Sequence, residues 1–175
     1  MLHADASEFL ALSRAIRKLP EDIKAKAFAR AGRRVTQMAR TAYLKRAAPR
    51  LKLPQKTIRD LTTARFNAGG NTSEVVVRSG WIPLAKLGAT QTATGVRVRL
   101  RGSYRSAFLA GMDSGHVGVM KRVGTARLPI RELFGPNPAH DITNNDAVYL
   151  AVLAEVIETA LAPRVLHELG RILPS

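Results

Sequence analysis

Apolar residues recur every three or four positions from Ile23 through Ala27, Phe28, Ala31, Val35 and Met38 to Ala42, and basic residues fill the other faces. That spacing lines up one side of a helix. Pro20 suits the first helical position, and Glu21 and Asp22 sit where the helix dipole favours negative charge. The helix is predicted to reach about Ala47 and stop before Pro49, which removes a backbone donor and crowds the preceding turn. A shorter stripe of Phe9, Leu10, Leu12 and Ile16 predicts a helix over residues 5–18, capped by Asp5 or Ser7. Near the other end, Tyr149, Val152, Leu153, Val156, Ile157, Ala160 and Leu161 predict a helix from Asn144 or Asn145 to about Gly170, kinked or ended in its first segment at Pro163.

Between these helices the period changes. "LPQKTIRDL", from Leu53, predicts one or two helical turns, and "ARFNAGGNTSEVVVRS" then reads as two strands around a Gly-Gly-Asn turn. "WIPLAKLG" is apolar but carries Pro83, so it belongs at a sheet edge or outside the sheet. Trp81 beside Pro83 reads as a buried anchor, with a protein interface as the second reading. In "GVRVRLRG", residues 95–102, Val96, Val98 and Leu100 alternate with Arg97, Arg99 and Arg101, which predicts a strand with an apolar face and a comb of three arginines. "SYRSAFLAGM" and "HVGVMKRVG" predict further strands, the second following the turn Asp113-Ser114-Gly115. Residues 124–142 contain Gly124, Pro129, Gly135, Pro136 and Pro138 and read as an extended, ordered loop, because Leu128, Ile130, Leu133 and Phe134 require burial. The order predicts an α+β fold: an antiparallel sheet with a long N-terminal amphipathic helix and a C-terminal helix packed on it. The expected layout is one domain over 1–175, with a basic helical region over 1–62, strands over 63–123, the loop over 124–142 and the closing helix over 143–175.

Composition narrows the possible partners. The chain has 175 residues and a net charge of +15, split as +10 over 1–62, +8 over 63–135 and −3 over 136–175. No acidic residue lies between Asp22 and Asp60, while that stretch holds twelve basic ones. Such asymmetry points to a polyanion or an acidic protein surface as partner, with solubility alone as the plain alternative. No apolar run has membrane-spanning length, and the N-terminus lacks the basic start and apolar centre of a signal peptide. Without cysteine there are neither disulfides nor thiolate metal sites.

Chemistry-bearing motifs are sparse. His3, His116, His140 and His167 do not fall in HExxH spacing, "AHD" at 139–141 offers two metal ligands at most, and no phosphate-binding glycine loop is present. Asp113, Ser114 and His116 lie together in a strand-joining turn, where neighbours in sequence rarely converge as a triad. The reading is therefore a non-enzyme with no cofactor and no metal. Exposed cations supply phosphate contacts without sequence information, and the nine aromatic residues are scattered rather than gathered into a stacking platform. Arg33, Arg34 and Arg40 on the long helix, with Arg97, Arg99 and Arg101, are the candidate contacts to DNA or to a protein neighbour.

The segment "SYRSAFLAGMDSGHVGVMKRVGTARLPIRELFGPNP" resembles the phage minor tail protein Z family, the tail-completion proteins of long-tailed phages. The shared pattern is an "AF" strand (Ala107, Phe108), a Gly-His turn (Gly115, His116), then Val119, Arg122, Gly124, Arg127, Leu128, Pro129, Ile130, Leu133, Gly135 and Pro136, and a closing helix. The upstream "RAGRRVTQMARTAYLKRAA" helix is similar to the family's N-terminal half, whereas residues 63–100 add little. The resemblance implies a structural virion protein at the head-proximal end of the tail, present in the host cytoplasm during assembly. It implies a homo-oligomeric ring, expected as a hexamer. The ring's neighbours would be the tail terminator or tail tube and the head-completion or connector proteins. Genomic DNA would pass through it nonspecifically, and no membrane would be involved. Arg127, Leu128, Ile130 and Phe134 are the expected subunit interface. The basic helix 20–47 is expected to meet the acidic 141–168 segment of a neighbour.

Overall fold

The structure, a computed structural model, describes residues 17–69 and 72–172. Four helices and eight strands follow in the order α1 (Glu21–Leu51), α2 (Gln55–Asp60), β1 (Thr62–Asn67), β2 (Thr72–Val77), a 3-10 helix (Leu84–Leu87), β3 (Ala89–Thr92), β4 (Gly95–Val98), β5 (Gly102–Arg105), β6 (Ala107–Gly111), β7 (Val117–Arg122), β8 (Ile130–Glu132), α3 (Pro138–Asn144) and α4 (Asp146–Ile172). This is the α+β arrangement. The helix expected over 5–18 lies outside the described residues except for its last two positions.

The long helix forms as its apolar stripe requires. Ala27, Ala31, Val35, Ala39, Tyr43 and Ala47 descend one face at four-residue steps and are buried. Pro49 does not stop it. The donor lost there falls in the last turn, and Leu53 N–H bonds Ala48 O (3.1 Å) while Lys52, in the left-handed conformation, closes the end. Pro163 likewise stays inside α4, whose final turns hold Val165 and Leu169 against Ala27 and Ala31.

The strands form three small antiparallel sheets, β1–β2, β3–β4–β5 and β6–β7–β8. The main core lies where the C-terminal half of α1 meets the last two: Tyr43, Leu44 and Leu51 pack with Leu53, Ile58, Ile82, Leu84, Leu87, Val96, Val98 and Val119. Burial of this apolar surface is the main driving force for the fold.

In the region after β2, three further readings need correction. The 95–102 strand ends at Val98, because the chain turns through Arg99–Arg101, with Leu100 at φ 66°, and Val98 pairs with Gly102 of β5. The arginine comb is therefore cut after its first tooth. The "SYRSAFLAGM" strand also breaks, at Ser106 (φ 60°), whose N–H bonds Thr94 O at 3.0 Å. Residues 124–142 are not loop throughout. Ile130–Glu132 pairs with Met120–Arg122, and Asn137 caps α3 by accepting the Ala139 N–H at 3.1 Å.

Candidate interaction surfaces

The six arginines singled out by sequence divide by what they touch. Arg33 and Arg34 are exposed on α1, and Arg97 on β4 and Arg99 in the following turn are exposed as well. Arg101 is structural instead. Its Nη1 donates to Leu51 O (2.7 Å), the last carbonyl of α1, and its Nε donates to the Tyr104 hydroxyl (3.2 Å). A cation at a helix C-terminus satisfies an orphan carbonyl and meets the negative end of the dipole. Arg40 is also committed, with Nη2 donating to Arg59 O at 2.9 Å across to α2.

The expected interface segment is more open than its apolar composition predicted. Leu128 is 67% exposed and Phe134 47%, while Ile130 and Leu133 are half-buried and Arg127 is exposed. The 123–129 connection projects beyond the β7–β8 pair, and Val123 at 61% exposure joins Leu128 on it. Burial of these side chains is thus not supplied by the described residues. Trp81 departs the same way: it is 59% exposed and meets His140 edge to face, with ring centroids 5.6 Å apart.

The basic helix and the acidic C-terminal segment, expected to meet across a subunit boundary, pack on each other within one chain. Arg30 lies 3.8 Å from Glu168, and Arg50 donates to Asp141 at 3.0 Å. Asp141 is a junction that sequence inspection missed. It also accepts from the Asn145 amide and the Tyr149 hydroxyl, tying α1 to α3 and α4. Burial, and the Asp141 charge after it, push the neighbouring Tyr43 hydroxyl up to about 12. Tyr149 is raised too, first by burial and then by its bond to Asp141.

The turn carrying Asp113 and Ser114 does not assemble a triad. His116 Nε2 turns away to Glu132 Oε2 on β8, 3.0 Å away. Among the described residues, no three His, Asp or Glu side chains gather as a metal site, and no helix is long and apolar enough to cross a membrane. A largely apolar groove, about 320 Å³, lies between α1, the β1–β2 hairpin and α4 and is lined by Phe28, Val35, Phe66, Val75, Leu153 and Ile157 among others. Comparison with protein-family models, curated proteins and solved structures finds no match to the chain.

Proposed function

We propose that the chain is a structural subunit of a phage or prophage tail that completes the head-proximal end and takes part in head–tail joining around the DNA channel. The observation that carries this reading is the set of exposed apolar side chains at the ends of β7 and after it, on the 123–129 connection and at Phe134. Val117, Val123, Leu128 and Phe134 stand outside a core that is complete without them. Val123 and Leu128 are exposed together on the 123–129 connection, and exposed apolar side chains gathered in one place mark surfaces that another macromolecule covers. This same stretch carries the resemblance to the tail-completion family. A closed ring needs two different, mutually fitting surfaces per subunit. The 123–134 segment supplies one, and α4, with Leu150 exposed and Ile157 exposed on the wall of the apolar groove, suits the other.

The exposed cations fit a wall facing passing DNA. Arg33, Arg34, Lys45 and Arg46 project from α1, and Arg97 and Arg99 from the β4 region. Each phosphate neutralised on duplex DNA contributes about −0.9 to the log–log salt slope, so a channel wall calls for few simultaneous contacts. Weak, salt-sensitive, sequence-independent binding is the expected property. These exposed cations also favour a second reading, a nonspecific duplex-DNA-binding accessory protein. Tight binding by the isolated monomer that survives high salt would select it.

The decisive experiment is Leu128→Asp, with far-ultraviolet circular dichroism on the purified variant and imaging of tails assembled with it. Because Leu128 is exposed, the variant is expected to fold normally yet fail to enter tails, leaving heads unjoined. Normal incorporation of the variant, or absence of the wild-type chain from finished particles, removes the proposal.

A further inference from the structure

The exposed Trp81 does not sit alone. It borders an open cleft of about 530 Å³ whose charged and aromatic lining is Lys56, Asp60, Arg78, Trp81 and Lys86. Lys56 comes from α2, Arg78 from the residue after β2, and Lys86 from the 3-10 helix, so three separate elements place cations along the cleft that Trp81 borders. Arg78 is held in place by donating to the Asp60 backbone carbonyl at 2.9 Å. Among the described residues, none of the three cations has a carboxylate within ion-pair distance. His140 braces the indole edge to face, and Pro83, next but one in sequence, is bridged to Phe134 on the neighbouring segment. The indole thus has one aromatic contact on a segment tied down two residues later, and Trp81 remains 59% exposed.

We propose that this cleft binds single-stranded nucleic acid, one base stacking on Trp81 and the adjoining phosphates resting on Lys56, Arg78 and Lys86. An indole offers any base a π-face, and cations around it neutralise the backbone, so such binding tolerates sequence. Duplex DNA fits less well, because its bases are already stacked and cannot reach the ring. An acidic peptide would satisfy the cations but bring no flat partner for the indole. This inference goes beyond the tail-subunit reading and does not depend on it.

Trp81 is the single tryptophan of the chain, so its emission reports this cleft directly. The intact protein is titrated with a twelve-nucleotide deoxythymidine oligomer, with a duplex of equal phosphate count, and with polyglutamate. The single strand is expected to quench the emission saturably, while duplex bound elsewhere leaves it nearly unchanged. With a labelled oligomer followed by anisotropy, Trp81→Ala should weaken single-strand binding by about tenfold or more and leave duplex affinity unaltered. Lys56→Gln and Lys86→Gln should each lower the single-strand salt slope by about 0.7. Saturation by the oligomer without quenching overturns the proposal. So does an equal loss of single-strand and duplex affinity in Trp81→Ala, or quenching by polyglutamate equal to that by the oligomer, which marks an acidic protein partner. All these variants are at exposed positions, and circular dichroism verifies that they fold. A failure here leaves tail incorporation of the Leu128→Asp variant as a separate result.

Discussion

The two ends of α1 carry the same helical stripe but are packed differently. Toward the C-terminus, Tyr43, Leu44 and Leu51 are enclosed by side chains from α2, the 3-10 helix and the two three-stranded sheets. Toward the N-terminus, the buried α1 side chains that meet Val165 and Leu169 of α4 are the small Ala27 and Ala31, with Ile23 partly buried beside them. Between those contacts the helices and the β1–β2 hairpin separate, leaving the largely apolar groove beside Phe28 and Gly32. An amphipathic pattern sets which face of a helix turns inward. How well that face is filled depends on which elements cross it.

Core truncation should show this contrast most strongly. Leu84 is fully buried at the dense end, and Leu84→Ala should cost toward the upper end of the range of about 2–5 kcal/mol seen for such changes. Leu169→Ala, beside the looser end, should fall near its lower limit because the site can collapse. Urea denaturation of both variants tests the ordering, and equal costs would break the distinction.

Two glycines sharpen the comparison at the level of single atoms. A Cβ on Gly95 would stand 2.2 Å from Tyr104 O, a backbone atom fixed by the β4–β5 ladder. Gly95→Ala should therefore destabilise by about 1–3 kcal/mol or more, as overpacking does. A Cβ on Gly32 would meet Phe66 Cε2 at 2.4 Å, but this is the far end of a side chain lining an open groove. The ring can swing away, and alanine gains about 1 kcal/mol over glycine inside a helix. Gly32→Ala should thus change thermal stability little in either direction. A large loss would show that Phe66 has nowhere to go.

The arginines follow the same division. Arg101→Ala, which strips the Leu51 carbonyl of its donor, should cost about 1–3 kcal/mol. Arg33→Ala and Arg99→Ala should stay within about 0.5 kcal/mol, as exposed substitutions do, and should instead weaken binding to duplex DNA. Differential scanning calorimetry and a salt-dependent titration separate the two effects.

The last effect is a pH dependence that shows only in the alkaline range. The Tyr43 and Tyr149 hydroxyls hold their protons more tightly in the folded chain than the ordinary value near 10. A raised pKa contributes stability that is complete below the unfolded value and lost as pH climbs through the folded one. The melting temperature should accordingly be insensitive to these groups up to about pH 9 and fall between about pH 10 and 12. Tyr149→Phe should flatten that alkaline decline, and an unchanged decline would assign it to other groups.

Periodicity determined the two long helices and the α+β class, because a three-to-four repeat and an alternating one cannot be confused over many residues, and together with the Gly-Gly-Asn signal it marked β1 and β2 as an antiparallel pair. It also marked Arg33, Arg34 and Arg97 as outward cations. The Asn137-Pro138 pair was a legible start signal for α3, a capping side chain before a proline at the first helical position, yet the turn-formers around it outweighed it. Only the tertiary structure decided the rest. Arg99 and Arg101 continue the alternation of β4, and nothing local shows that the chain turns there so that β5 can pair back. Arg101 acquires its role from Leu51, fifty positions away, and Asp141 acquires its role from Arg50 and Tyr149. Leu128 and Trp81 have side chains that ordinarily enter a core, but whether they do depends on the space left by distant elements. Burial is a property of the assembled neighbourhood and not of the residue itself.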